Sequence, residues 1–384
     1  MALIELEPVA EPASVRALRE EVRAWLAAER RQGTFEPTCD SWLAGFSPAF
    51  SRKLAARGWV GMMLPPEYGG HGRSGLERFA VTAELLAAGA PVAAHWVADR
   101  QMAPMILRYG TEAQKRRFLP PIARGEEYWA IGMSEPGAGS DLAAVRTRLE
   151  PADGGWRLTG QKLWSSGAHG CHYMMVLCRS GPPEPDRHAG LTNVVVDLRA
   201  PGVTIRPIRL LNGEHHFNEV TFDGVFVPDD HVIGSPGDGW AQVTAELAFE
   251  RSGPERILST YPLLAEMVRA AAARPDDDRL ATLVGGLAAD LWALLRMSRA
   301  IAGMLDRGRD PEVEAALVKD LGTRFEQRVA EAGRAVHPGP VRLPAADPLG
   351  QRLAEAILHA PGFTIRGGTN EILRGIVARG LGLR

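Results

Sequence analysis

Residues 133–141 read MSEPGAGSD, a run in which two glycines, a proline and two serines follow directly on the β-like stretch YWAIGM (128–133). A turn of this composition lets backbone N–H groups come close to a flat or anionic ligand, with Ser134 and Ser140 as additional donors. About twenty residues further on stands GQKLWSSGAHG (160–170), where Trp164 is expected to end a strand and is followed by paired serines. Taken singly, the first motif reads as an ordinary turn and Trp164 as a core aromatic. Their spacing within one β segment sets them apart.

Upstream of these motifs, from about residue 12 to 124, the pattern is helical. Val15, Leu18, Val22, Trp25 and Leu26 recur at three-to-four spacing behind Ser14, which reads as an N-cap. Thr111 and Gln114 have capping-box spacing, and Pro120-Pro121 is expected to close that helix. Downstream, WRLTG, QKLWSS, YMMVLC, TNVVVDL, VTIRPI and EVTFDGVFVP continue the β character, broken by Gly, Pro and Asp turns. From GDGWAQVTAELAFE onward the chain returns to Ala- and Leu-rich helices and keeps them to the end, apart from VHPGPVRLP. The order is helical, then β, then helical. This predicts an α+β protein with domains over 1–124, 125–234 and 235–384.

Bulk properties narrow the function classes. The 384 residues are 45% hydrophobic, enough for sizeable cores, and carry a formal net charge of −2 with no basic run or tail. Nucleic acid and anionic membranes therefore find no electrostatic footing, and small-molecule chemistry or protein partners are expected. Three cysteines (Cys39, Cys171, Cys178) make no disulfide framework and read as a reducing compartment. No signal peptide and no uninterrupted apolar run of about 18 residues is seen, so a cytoplasmic enzyme without membrane insertion is expected. His169, Cys171 and His172 in HGCH sit too close together to surround one metal ion unaided, and no metal is expected.

Taken together, GWVGMMLPPEYGGHG, RYGTEAQKRRFLPPIARGE, MSEPGAGSD, GQKLWSSGA, HHFNEVTFDGVFVP, GDGW, FER and GGTNEILRGIVAR resemble, in order, the motifs of the acyl-CoA dehydrogenase flavoproteins over nearly the whole chain. The resemblance implies an N-terminal helical domain, a middle β-barrel-like domain and a C-terminal four-helix bundle. It also implies FAD, an acyl-CoA or acyl-carrier thioester as substrate, removal of an α-proton, and transfer of the β-hydride to flavin N5. By the same resemblance Met133 and Ser134 lie at the flavin ring, Gly139 and Ser140 where cofactor and thioester cross, and Trp164 and Ser166 beside the isoalloxazine. Thr369 and Glu371 match residues that meet FAD further along, where a helix N-terminus offers N–H groups to ligand oxygens.

Two departures stand out. Many members carry the catalytic glutamate immediately before the Gly-Thr pair of the C-terminal motif; here that position is Gly367. A subset places it on a helix just before an arginine, and the matching pair is Glu250-Arg251, so Glu250 is the favoured base, with Glu246 and Glu255 as rivals. The Gly367 N–H then polarises the thioester carbonyl, with Gly368 and Arg251 at the acyl-CoA end of the site, although Arg251 equally suits a structural ion pair. The second departure is the loss of the Arg-x-x-Phe-Gly and Gln-x-x-Gly-Gly segments, which normally grip FAD across a dimer interface. Relatives are mostly tetramers built as pairs of dimers, so a homodimer or homotetramer is expected; either the grip is built differently here or a second, non-identical chain supplies it. Three readings follow: a dehydrogenase passing electrons to an electron-transfer flavoprotein, an offshoot acting as oxidase or monooxygenase, and one subunit of a heteromeric dehydrogenase.

Overall fold

The computed structural model describes residues 4–182, 186–251 and 253–383, with the side chains of residues 246–250 excepted. The chain divides into two compact units: Met1–Gly45, Ser74–Pro91 and Ala248–Arg384 form the first, Phe46–Arg73 and Val92–Leu247 the second.

The second unit is organised on a sheet of β1 (Trp129–Gly132), β2 (Arg148–Ala152), β3 (Gly155–Lys162), β4 (Tyr173–Arg179), β5 (Leu191–Asp197), β6 (Val203–Ile208), β7 (Phe217–Pro228) and β8 (Val232–Ile233). The strand order is β6-β7-β3-β2-β4-β5-β8, and β1 pairs in parallel with β4. β4 and β5 are buried on both faces, which is why they read as unbroken apolar runs, YMMVLC and LTNVVV. On one side they meet the Glu112–Ala123 helix, where Phe118 packs edge-on against Trp129 and Tyr173. On the other, Leu149, Leu158, Met174, Val194, Val220 and Phe222 form a second core. Burial along β7 alternates and then changes phase near Asp223, opposite a bulge in β3 between Leu158 and Gly160. Gly160 has φ 154°, and a Cβ there would lie 2.5 Å from Thr147 Oγ1.

The first unit packs α1 (Ala13–Arg31), α2 (Gly75–Ala87), α3 (Tyr261–Ala272), α4 (Asp278–Asp306), α5 (Glu312–Val336), α6 (Pro348–Phe363) and α7 (Asn370–Gly380). Long-range caps tie its segments together: Asp306 accepts from the backbone N–H groups of Gly75 and Leu76, at 2.5 and 3.1 Å, at the start of α2. α4 turns Leu280, Val284, Leu287, Leu291 and Leu294 inward at helical spacing. By length and composition α4 is apolar enough to cross a membrane, with 28% of its most apolar window buried. No unbroken run announces this, because Asp290 interrupts it.

Several local expectations are corrected. Helix α1 begins at Ala13 with Pro12 as N-cap, so Ser14 lies inside the first turn and Pro12, with φ fixed near the helical value, sets the entry. The Thr111–Gln114 capping box is present, but the helix runs through Pro120 and Pro121 to Ala123. At a C-terminal turn prolines serve as acceptors: the Pro120 and Pro121 carbonyls receive Arg124 and Glu126 N–H at 3.1 and 2.9 Å. WRLTG and the Gln161-Lys162 pair form one strand, β3, which stops at Lys162, so Trp164 stands two residues beyond the strand it is expected to end. Strands β2 and β8 carry no strand pattern in the sequence, RLEPA and VI being too polar or too short.

Candidate functional site

In the second unit the Met133–Asp141 turn leaves β1 and closes on itself through Glu135 N–H to Ala138 carbonyl (2.8 Å) and its reciprocal (3.1 Å). It stands on a buried ion pair. Lys162, at the end of β3 and 0% exposed, donates to Glu135 Oε1 at 2.8 Å and to the Met133 carbonyl at 3.0 Å. Glu135 also accepts from Arg146 N–H (2.7 Å) and Thr147 N–H (3.0 Å). Burial pushes the Glu135 carboxyl up, but Lys162 and these donors carry it below its ordinary value. Burial likewise lowers the Lys162 ammonium, with Glu135 opposing.

The two sequence motifs meet directly: Leu163 N–H donates to the Ser134 carbonyl at 2.9 Å, which sets Trp164 beside Met133-Ser134. Trp164 is left-handed (φ 61°) and 54% exposed, with Phe217 edge-on at 5.7 Å. An exposed indole in a disfavoured backbone conformation is not serving as a core residue. Next to it Ser165 is buried, its N–H bonded to the Asn218 carbonyl at 3.0 Å, and Ser166 is half-buried. Asn218 also joins His215 (2.8 Å) and His169 (3.2 Å), whose rings lie 4.2 Å apart. Sequence reading missed this polar bracket, since nothing in the spacing of single histidines marks it.

Whether these residues suit a flat cofactor can be tested on the glycines. A Cβ at Gly137 or Gly139 would meet nothing within 4 Å, and neither has positive φ. Neither the internal packing nor the backbone of this unit asks for glycine there. Both positions leave the main chain open to an external group, and the exposed Gly139-Ser140 edge and the Trp164 face are where it would lie. The arrangement fits FAD.

In the first unit Gly367 and Gly368 are both left-handed, with φ 67° and 85°. Their carbonyls are held from within: Arg251 Nε stands 3.4 Å from the Gly367 oxygen, and the fully buried Lys319 ammonium donates to the Gly368 oxygen at 2.7 Å and to Asn370 Oδ1 at 2.9 Å. A Cβ on Gly368 would lie 3.5 Å from Arg251 Nη2. Thr369 caps α7, accepting from Ile372 N–H at 3.4 Å. Glu371, in the first turn and exposed, is held below the usual carboxylate range by backbone N–H and the Thr369 hydroxyl.

Gly367, Gly368, Thr369, Glu371 and Arg251 are thus gathered around one turn, and Met133, Ser134, Gly139, Ser140, Trp164 and Ser166 around another in the other unit. Glu250 and Glu246 lie on the Gly239–Arg251 helix, but their side chains fall outside the described residues. Glu255 lies beyond that helix, in the Pro254–Arg256 turn, 1% exposed.

Comparison with known proteins agrees with this geometry. Family models match residues 12–126 (acyl-CoA dehydrogenase, N-terminal domain), 130–225 (middle domain) and 237–382 (C-terminal domain). The chain is 38% identical to acyl-CoA dehydrogenase FadE34 of Mycobacterium tuberculosis over 85% of its own length, although it spans only 45% of that protein. It is 36% identical to acyl-CoA dehydrogenase IpdE1 of the same organism, covering 96% of this chain and 98% of the relative. Among solved structures, the Tcur3481-Tcur3483 steroid ACAD superposes with a TM-score of 0.85 at 28% identity, covering 99% of both chains. The ChsE4-ChsE5 complex from Mycobacterium tuberculosis gives 0.83 at 27%, covering 98% of this chain and 100% of that one. Three consecutive domain matches and a relative 36% identical end to end make the chain a member of the acyl-CoA dehydrogenase family, an FAD-dependent oxidoreductase acting on acyl-CoA thioesters.

Proposed function

We propose that the chain catalyses α,β-dehydrogenation of an acyl-CoA with a bulky, branched or ring-bearing acyl group, with Glu250 as the base that removes the α-proton. FAD, when bound, supplies the hydride acceptor. The chain's own residues do the rest. Trp164 walls off water on one side, and Met133, Ser134, Gly139, Ser140 and Ser166 offer backbone and hydroxyl donors beside it. Gly367 offers its N–H to the thioester carbonyl, which makes the α-proton more acidic, while Arg251 and Lys319 fix the turn from behind.

The observation that carries this reading is the left-handed Gly367-Gly368 turn with its carbonyls tied inward. A side-chain base at residue 367 is absent, so the proton must go elsewhere, and Glu250 is the residue matched by the subset that keeps its base beside an arginine. A bare glycine also leaves room for a wide acyl group, and a structure 28% identical with a TM-score of 0.85 is titled a steroid ACAD. Anaerobic addition of linear, branched and ring-bearing acyl-CoAs to the purified holoprotein tests this. Bleaching of the flavin by a ring-bearing or branched thioester is the expected result; bleaching by linear chains alone refutes the substrate class.

A second reading concerns assembly. The segments that grip FAD across a homodimer are missing, and two of the matched structures are titled as pairs of named chains. We infer a heteromer with a related, non-identical chain, an electron-transfer flavoprotein being the expected acceptor. Co-expression with such a partner should raise FAD content. Stoichiometric FAD in a homo-oligomer of this chain alone would overturn it.

A further inference from the structure

Arg366, immediately before the double glycine, does not face solvent. Its Nη1 donates to both oxygens of Asp40, at 2.7 and 2.6 Å, and its Nη2 donates to Ser259 Oγ at 2.9 Å. The guanidinium lies over the Trp42 ring at 4.6 Å and the Phe363 ring at 5.0 Å. Its partners are themselves fixed. Asp40 is 2% exposed, adopts a left-handed conformation (φ 59°) and meets His359 Nδ1 at 3.1 Å. Ser259 accepts from Trp42 Nε1 at 3.2 Å and donates to the Glu255 carbonyl at 3.0 Å, while its N–H donates to Glu326 Oε1 at 2.8 Å.

We propose that Arg366, clamped by Asp40 and Ser259, is a positioning residue that sets the Gly367-Gly368 turn. A Gly-Gly segment loses more backbone freedom on ordering than any other pair, and nothing on its own side chains can hold it. Anchors must come from its flanks. Lys319 and Arg251 hold the carbonyls of the pair, and Arg366, one peptide bond before Gly367, holds the approach. An arginine gripped at both Nη atoms and stacked on two rings is restricted to few rotamers, so the Cα of Arg366 is held and the Gly367 N–H with it. For stability alone, apolar residues would serve as well as a buried Asp-Arg pair; its use here at the cost of a left-handed aspartate is explained by placement.

The proposal rests on the reading that the Gly367 N–H meets the thioester carbonyl, so its test has two independent arms. In the holoprotein, Asp40→Asn and Arg366→Lys are compared with wild type by amide hydrogen exchange of the 364–370 segment, with no substrate, and by anaerobic flavin reduction at saturating acyl-CoA. Exchange should rise about tenfold in that segment, with α6 unchanged. The limiting reduction rate should fall about tenfold or more with FAD content unaltered, and Arg366→Lys should retain more rate than a further variant, Arg366→Ala. Unchanged exchange in both variants overturns the positioning role whatever the activity. Raised exchange with an unaltered limiting rate overturns its link to catalysis. Raised exchange in a protein that no acyl-CoA reduces supports the positioning and refutes the proposed function instead.

Discussion

Lys162 and Glu135, both at the base of the Met133–Asp141 turn, form an ion pair of 2.8 Å with side chains 0% and 8% exposed. Breaking one half leaves the other charge buried without its partner, so Lys162→Met should destabilise the chain by about 3–5 kcal/mol. The double variant Lys162→Met/Glu135→Gln should recover part of that. Thermal unfolding of the three proteins checks it, and FAD content should follow the order of stability because the turn loses its footing.

Trp164 separates binding from folding. Relieving its left-handed backbone with Trp164→Gly should leave the FAD-free chain within about 1 kcal/mol of wild type, since half the indole is exposed already. FAD affinity should fall about tenfold or more with the loss of the aromatic wall. Calorimetry of the apoprotein and flavin titration give the two numbers; a collapse of apoprotein stability would mean that the indole is a structural prop.

Gly139 offers the converse experiment. A Cβ there meets nothing within 4 Å and no positive φ forbids it, so Gly139→Ala should hold or raise apoprotein stability by about 0.4–1 kcal/mol through the unfolded chain. FAD binding should weaken. Equal affinity for FAD in the variant would show that no ligand approaches this main chain.

Glu326 predicts a pH dependence. It is 0% exposed, and burial pushes its carboxyl up to about 7 from an ordinary 4.5, against the pull of Arg366 and Ser259. A raised carboxyl binds its proton more tightly in the folded chain, so its contribution is fully present below pH 4.5 and is lost as pH rises through about 7. Glu326→Gln keeps an acceptor for Ser259 N–H and removes the titration. Its melting temperature should match wild type near pH 4.5 and exceed it near pH 8; a difference independent of pH would sink this account.

Glu250→Gln should lower substrate-dependent flavin reduction by about 10²–10⁴-fold while FAD stays bound. Stopped-flow bleaching measures it, and substantial residual rate points to Glu246 or Glu255.

The order of helical, β and helical segments was legible because periodicity records which face each segment buries, and β4 and β5 bury both. The Thr111 capping box was legible because it is local. What escaped depends on distant atoms. Nothing near residue 366 reveals that its arginine turns inward to Asp40, and the reversal at Trp164 depends on Leu163 pairing with Ser134, 29 residues earlier in the chain. The short β2 and β8 exist because partners with strong patterns, β3 and β5, recruit them.

The first compact unit draws on Met1–Gly45, Ser74–Pro91 and Ala248–Arg384, and Asp40 finds Arg366 across most of the chain. During synthesis, at about 5–20 residues per second, the Ala13–Arg31 helix therefore emerges tens of seconds before the Ala248–Arg384 segment of its unit has been made. Over that interval α1 and α2 can pack on each other, whereas α3 and α4, on which α2 also packs, lie within Ala248–Arg384. The clamp that Asp40 places on Arg366 cannot form until 326 further residues have been made, and expression of this chain should respond strongly to chaperone supply and to lower growth temperature.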